Sequence, residues 1–499
     1  MGLFGASQGH ISHHPERRPQ FDQPLTWENF AAIFQECADF SEKELTPQGW
    51  GHPIQIGWLD GMVRSERLND YVLRPLAAWP LPQGERPAQA ILEGGVWNQN
   101  AQRQETLDEV VEAVLDGSCA IFLPDGVITC SVATEEKRSV TEPENESQIK
   151  GAKDGFVESV RTNTSLLRRR MRTPELQIQR FVIGRRTRTP VELLWVKGIA
   201  EERLIRRIAD KLEDIDEDAL LTTGALEEYL TDPKATAFPR VLFTERPDRV
   251  CQGLLDGRAA ILVDGIPLGC LLPGDVSQFM KAPQDKSYHW AVSSLLLLLR
   301  YLCLLLTLLL PGFYISVAQF HFELIPTKLA MSIIASKQDV PFPTAFEVMG
   351  LLAAFEILQE AGLRLPKTIG QTVSIIGGLV VGQAAVDAKI VSPVVVIVVA
   401  VAGIAGFTMP NQDFSNALRV WRFLLAVLAS LLGIFGLMAG TAFLVAHLAS
   451  LEDFGVPYLT PFAPRERSSL ESHPILRKPM PEVKLRPTEL HPANRRKRT

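Results

Sequence analysis

Cysteine is scarce and scattered in this chain. The six thiols among 499 residues (Cys37, Cys119, Cys130, Cys251, Cys270 and Cys303) form no C-x-x-C pair. That spacing excludes a zinc ribbon, a thioredoxin-like couple and a disulfide framework, and points to buried, reduced thiols. Enzyme signatures are missing as well. There is no P-loop, no G-x-S-x-G, no H-E-x-x-H and no G-x-G-x-x-G opening a helix after a strand. The nine histidines gather at the start (His10, His13, His14) or stand alone. No catalytic residue, metal or cofactor is expected. Neither sign of charge dominates: 51 Lys and Arg face 57 Asp and Glu, a formal net charge of -6. Long apolar runs are absent before residue 291. The start therefore does not read as an export signal, and the polar part is expected to stay in the cytoplasm.

The character of the chain then changes. Residues 291–310 are almost wholly apolar, about the length that a spanning helix needs. Arg300 alone interrupts them with a charge. Hydropathy suggests four spans, at 291–318, 369–386, 391–410 and 420–447. Residues 343–361 carry Glu347, Glu356 and Glu360 and read as an amphipathic helix at the interface or packed in the bundle. The expected fold is an α/β two-subdomain soluble N-terminal head followed by an all-α polytopic transmembrane bundle. Its divisions are a disordered start (1–24), a first subdomain (25–133), a linker (134–154), a second subdomain (155–283), the transmembrane domain (291–450) and a basic disordered tail (465–499). The tail has ten Lys or Arg against four Glu. That bias favours a cytoplasmic tail, as four spans and a cytoplasmic head require, although Arg364 and Lys367 would then fall outside.

Two pieces of the head look alike. Leu-Asp-Gly at Leu115-Asp116-Gly117 precedes an apolar run and a second Asp-Gly at Asp125-Gly126. The same order recurs at Leu255-Asp256-Gly257 and Asp264-Gly265. Each reads as a helix end, a strand, a tight turn and a return strand, with glycine supplying the positive φ of the stops. Duplication and chance both give such a pattern. In the second piece, residues 156–171 read as a helix, 176–183 and 191–196 as strands, and 201–212 as an amphipathic helix. Two arginine clusters stand out: Arg168, Arg169, Arg170 and Arg172, then Arg185, Arg186 and Arg188. Many nearby Asp and Glu argue against nucleic acid and for salt bridges within or between subunits.

The span at 369–386 is polar for its depth. Gln371, Thr372, Ser374 and Gly378 share a broad stripe, with Gln383 further on. Such a helix lines a pore or packs inside a bundle. Arg300 also has two readings: pairing with Glu347, Glu356 or Glu360, or tuning ion passage.

Long motifs then suggest a family. They are Gly155-Phe-Val-Glu-Ser-Val-Arg-Thr-Asn-Thr-Ser-Leu-Leu-Arg-Arg-Arg170, Thr244-Glu-Arg-Pro-Asp248, Ala260-Ile-Leu-Val-Asp-Gly265 and His321-Phe-Glu-Leu-Ile-Pro326. Val340-Pro-Phe-Pro343, Arg364-Leu-Pro-Lys-Thr-Ile-Gly-Gln371, Gly382-Gln-Ala-Ala-Val386, Val391-Ser-Pro393, Ser415-Asn-Ala-Leu-Arg419 and Phe454-Gly-Val-Pro-Tyr-Leu-Thr-Pro-Phe-Ala-Pro464 follow. Across about residues 110–464 the chain resembles the A subunits of spore germination receptors, the GerA family. The resemblance implies a multi-pass protein of the spore inner membrane with a cytoplasmic head. It implies a transporter-like B subunit and a lipoprotein C subunit as partners, and a homo-oligomer acting as a nutrient-gated ion channel. Gln371, Thr372, Ser374, Gly378 and Gln383 become pore-lining candidates, and Arg168, Arg169, Arg170, Arg185 and Arg186 subunit-contact candidates. A secondary transporter and a membrane scaffold are the competing functions.

Overall fold

The computed structural model describes residues 21–47, 52–78, 86–98, 100–133, 143, 146, 150–364, 382–463 and 475–497. Residues 1–20 of the expected disordered start, most of the linker, and Gln371, Thr372, Ser374 and Gly378 lie outside these residues.

The head contains two five-stranded antiparallel sheets. The first holds β1 (Phe40–Leu45), β2 (Ile54–Leu59), β3 (Ala101–Gln104), β4 (Ser118–Leu123) and β5 (Gly126–Ser131), in the order β1-β2-β4-β5-β3. The second holds β6 (Leu176–Ile183), β7 (Thr189–Val196), β8 (Leu242–Thr244), β9 (Ala259–Val263) and β10 (Gly269–Leu272), in the order β6-β7-β9-β10-β8. The two orders are the same, and in each a helix leads into the central hairpin. That helix is α2 (Leu107–Leu115) in the first sheet and α5 (Pro247–Asp256) in the second. Thus the paired Leu-Asp-Gly segments mark one plan used twice. Local chemistry sets each helix. Thr106 and Glu109 cap the start of α2 reciprocally, satisfying amides that otherwise lack partners. Pro247 opens α5, and Gly257 closes it at φ 105°, where a Cβ would be strained.

Other head helices include α1 (Trp27–Ile33), α3 (Val160–Arg170) and α4 (Glu202–Glu213). Helix α3 begins four residues later than its sequence suggests. Asn163 turns its side chain back to bond both the amide and the carbonyl of Val157, holding that residue outside the helix, and Ser159 caps the start. The two subdomains are joined at the strand edge and by charge. Ala38 N–H donates to Ile178 O at 2.8 Å and Ile178 N–H to Glu36 O at 3.2 Å. Arg168 forks onto both oxygens of Asp39, at 2.8 and 2.9 Å.

A short helix, α6 (Val276–Met280), and a 3-10 turn (Pro283–Lys286) lead to the apolar half. Its helices are α7 (Trp290–Gln319), α8 (Thr327–Lys337), α9 (Thr344–Arg364), α10 (Gly382–Asp387), α11 (Pro393–Gly406) and α12 (Gln412–Ser450). Among the described residues, α7 and α12 are long and apolar enough to cross a membrane, while α11 has 14 residues.

One expectation is corrected here, and one open alternative is decided. First, α12 is a hairpin and not one span. Gly433 breaks it at φ 61°, ψ −142°, a conformation open essentially to glycine. The Trp421 ring lies 5.9 Å from Phe443 and 5.6 Å from His447. In a straight helix Trp421 and His447 would stand about 39 Å apart. The arms touch through Gly436 and Gly440, where a Cβ would crowd Leu428 and Leu425. Second, of the two placements open to α9, the structure shows the one packed in the bundle. Ala345, Val348 and Leu352 of α9 are buried in one cluster with Tyr314, Ile315 and Ala318 of α7 and Val395 and Val399 of α11. Two of its glutamates have internal cations: Glu347 has Lys337, and Glu356 has Arg419 and Arg422.

All six cysteines are free and buried. Burial pushes the Cys251 thiol up to about 12 and raises that of Cys37. Because thiolate is the reactive form, the five head thiols should resist maleimide at neutral pH until denaturant is added, as read by mass spectrometry. Labelling of the native protein at free-thiol rates would contradict this packing. Replacing Gly433 by Val should cost about 1–3 kcal/mol of stability through backbone strain, visible as a lower thermal midpoint.

Candidate functional site

The head meets the bundle at a charged seam. Arg300 lies ten residues into α7, about 15 Å from its start. Its Nη2 donates to Asp285 Oδ1 at 2.8 Å, and its Nη1 to Oδ2 at 2.5 Å and to Met280 O at 3.3 Å. The expected partners, Glu347, Glu356 and Glu360, are therefore incorrect. They ride on α9, whose start packs against the distal half of α7, whereas Arg300 sits on the proximal half beside the head. Asp285 is 6 % exposed as a side chain and Arg300 14 %. Two charges so enclosed are stable only as a hydrogen-bonded pair.

A third arginine closes the seam from the far end of the chain. Arg477 donates to the carbonyls of Asp285 and Tyr288, and its backbone N–H donates to Ser294 Oγ at 2.9 Å. Residues 475–497 then run over the second subdomain. Arg486 Nε donates to Leu255 O at 2.8 Å, Ala493 N–H to Ile199 O at 3.0 Å, and Lys497 pairs with Asp256 at 2.6 Å. Leu490 and Thr488 are buried. The expectation of a disordered tail is thus corrected for these residues. Their basic side chains cap carbonyls and an aspartate at the end of α5.

Aromatic side chains continue the junction inward. Phe279 of α6 stacks on Phe414 at 5.9 Å and 1°. Phe238 packs on Phe414, Trp421 and Tyr458 within 6.4 Å. Both ends of the α12 hairpin reach the head. Phe414 does so near one end, while His447 Nε2 lies 3.0 Å from Thr236 Oγ1 and Lys234 donates to Ser450 O at the other. Just beyond, Arg240 pairs with Asp453 at 3.0 Å, both nearly enclosed. Burial raises the Asp453 carboxyl, and Arg240 opposes that rise.

Two further polar sites lie deeper. Midway along α9, Glu356 takes Arg422 and, at 3.5 Å, Arg419, both on the first arm of α12. At the distal end, Glu347 Oε2 accepts from Ser392 N–H at 2.7 Å, and Lys337 Nζ lies 3.1 Å from Oε1. Glu360 is exposed on the same helix, and so is Gln383 on α10. In the head, Arg168 is committed to Asp39 inside the chain and 1 % exposed, too enclosed to meet another subunit. Arg169 is half-buried. Arg170 pairs with Asp154, Arg185 with Asp216, and Arg186 with Asp218 at 3.3 Å. Sequence reading missed Asp285, Arg477, Arg419 and Arg422. The last two stand three apart on an apolar helix, a spacing that puts both on one face.

With this geometry in place, similarity identifies the family. A family model described as Bacillus/Clostridium GerA spore germination protein matches residues 28–489. The chain belongs to the GerA family. Spore germination protein B1 of Bacillus subtilis (strain 168) is 39% identical over 441 residues, covering 87% of this chain and 90% of that protein. The uncharacterized membrane protein YfkQ of the same strain is 37% identical over 447 residues, covering 89% and 86%. A crystal structure of the N-terminal domain of the A subunit of the Bacillus megaterium spore germinant receptor GerK3 matches at 26% identity with a TM-score of 0.38. It covers 49% of this chain and 91% of that one.

The seam makes a quantitative expectation. Asp285→Ala strands a buried guanidinium and should destabilise the protein by about 3–5 kcal/mol. Adding Arg300→Leu should recover much of that loss, read as thermal midpoints of the detergent-solubilised proteins. Strictly additive losses would show that the two groups are not coupled.

Proposed function

We propose that this chain is the A subunit of a nutrient germinant receptor in the inner membrane of bacterial spores. In this reading it oligomerises as a nutrient-gated ion channel whose opening begins germination. The observation that carries the reading is family membership over residues 28–489, joined to a head fixed on an apolar bundle through Arg300 and Asp285. A transporter-like B subunit and a lipoprotein C subunit are its partners. The chain itself is non-enzymatic, needs no cofactor and binds no nucleic acid.

Helix directions support a multi-pass topology with head and tail on the cytoplasmic side. Helix α7 leaves the head. Helix α9 returns, since Glu347 is distal with Ser392 while Glu356 meets the arm of α12 that begins near the head. Arg364 then ends α9 on the head side, in keeping with the basic-loop rule, whereas Lys337 and Lys389 stand at the distal end. The α12 hairpin goes out and back, so the tail reaches the head again at Asp285. An ion path fits the polar stripe of Gln371, Thr372, Ser374, Gly378 and Gln383. Arg185 and Arg186, exposed in pairs with acidic neighbours, offer charge for contact between subunits.

The test replaces Gln371 or Ser374 by Leu in spores. Nutrient-triggered cation release should fall severalfold while the receptor still assembles, as checked by co-purification. Unchanged release with intact assembly would reject the pore assignment. Planar-bilayer recording of the assembled protein separates a channel from a scaffold, which would carry no current.

A further inference from the structure

The distal end of the bundle holds more oxygen than its hydrogen bonds use. Glu347, 2 % exposed, stands in the first turn of α9. One of its oxygens is taken by the Ser392 amide at the start of α11. The other, Oε1, has no hydrogen bond, although the Lys337 ammonium lies 3.1 Å away. The Tyr314 hydroxyl of α7 lies near Ser392 and within electrostatic reach of Glu347. Beyond their contact with each other, neither the Tyr314 hydroxyl nor that of Ser392 has a hydrogen-bond partner among the described residues. Tyr314 is 9 % exposed and Ser392 0 %. Thr344 Oγ1, also buried, accepts from Lys337. Buried polar atoms are rarely left unpaired, and a cluster of them marks a missing water or ion.

We propose that Glu347, Tyr314, Ser392 and Thr344 form a binding site for a monovalent alkali cation, for which the Lys337 ammonium is a tethered competitor. Three features of the chemistry select that ligand. All the donors are oxygens: one carboxylate and three hydroxyls. Hard cations take that set, and softer metals want nitrogen or sulfur. The cluster has one negative charge, so one positive charge neutralises it and a divalent ion would leave an excess in a buried place. An ammonium already occupies the position, and potassium is close to ammonium in size and charge. Exchange therefore leaves the site's net charge unaltered. Lys337 can also leave. Its side chain is 20 % exposed, at the last residue of α8, and that helix bears exposed Leu329, Met331 and Ile334. Release of Lys337 would free the end of α8 from α9, so occupancy by the cation and the position of α8 are linked. The inference stands on the bundle geometry and does not depend on the channel reading.

The experiment uses the full chain in nanodiscs, with potassium chloride compared against N-methyl-D-glucamine chloride at equal ionic strength. Lys337→Met removes the competitor. Its thermal midpoint should rise by at least about 2 °C in saturating potassium. The double variant Lys337→Met, Glu347→Gln should lose that rise. No rise in a folded Lys337→Met protein would mean the hydroxyls hold only water, and a rise that survives Glu347→Gln would place the cation elsewhere; either overturns the site. The unaltered protein supplies a second readout that needs no variant. Potassium should speed modification of Lys337 by an amine-reactive ester severalfold, measured by mass spectrometry. An unchanged rate would also overturn the proposal. A chain that conducts ions but fails these measurements sinks this inference alone.

Discussion

One enclosed charge organises the molecule. Arg300 interrupts a leucine-rich helix of 30 residues, and an unpaired guanidinium there would be prohibitively costly. The answer comes from the head, where the 3-10 turn before the helix folds Asp285 back alongside it. That pairing brings α6 with it and sets Phe279 against Phe414. The first turns of α7 therefore belong to the junction as much as to the bundle. At about 45 Å the helix is longer than the hydrocarbon of a bilayer, so part of it is free to serve as a rigid link to the head.

The head was the more legible half. Strands of 176–183 and 189–196 follow apolar runs, and paired glycines marked both hairpins because positive φ leaves few alternatives. The common strand order of the two sheets follows from that repeated punctuation. Helix α3 was misjudged at its start because Asn163 caps backward, a side-chain bond that no periodicity reveals. Arg168 looked like surface charge because clusters of arginine usually are. Its acidic partner, Asp39, sits 129 residues away.

The bundle resisted sequence reading for a different reason. Hydropathy measures length and polarity and is blind to direction. It made one span of 420–447, where Gly433 turns the chain, and it set α9 aside for its glutamates. Glu347 finds Lys337, and Glu356 finds Arg419 and Arg422, only after folding. Setting α9 aside came from judging polar residues alone, when in an apolar setting each is stable as one member of a pair. Arg300 carries the same lesson, since its partner was sought among distant helices and stands 15 residues before it. The pore-lining candidates other than Gln383 lie outside the described residues, so their assignment rests on sequence pattern.

The strap at residues 475–497 has a bearing on how the molecule is made. Arg477 and Lys497 come later in the sequence than everything they fasten, so they leave the ribosome after it. The head can fold and the helices can insert while Tyr288 and Asp285 still offer uncapped carbonyls. The junction closes only after residues 477–497 have emerged. A chain cut before Arg477 would have its sheets and its spans, yet would lack this fastening between them.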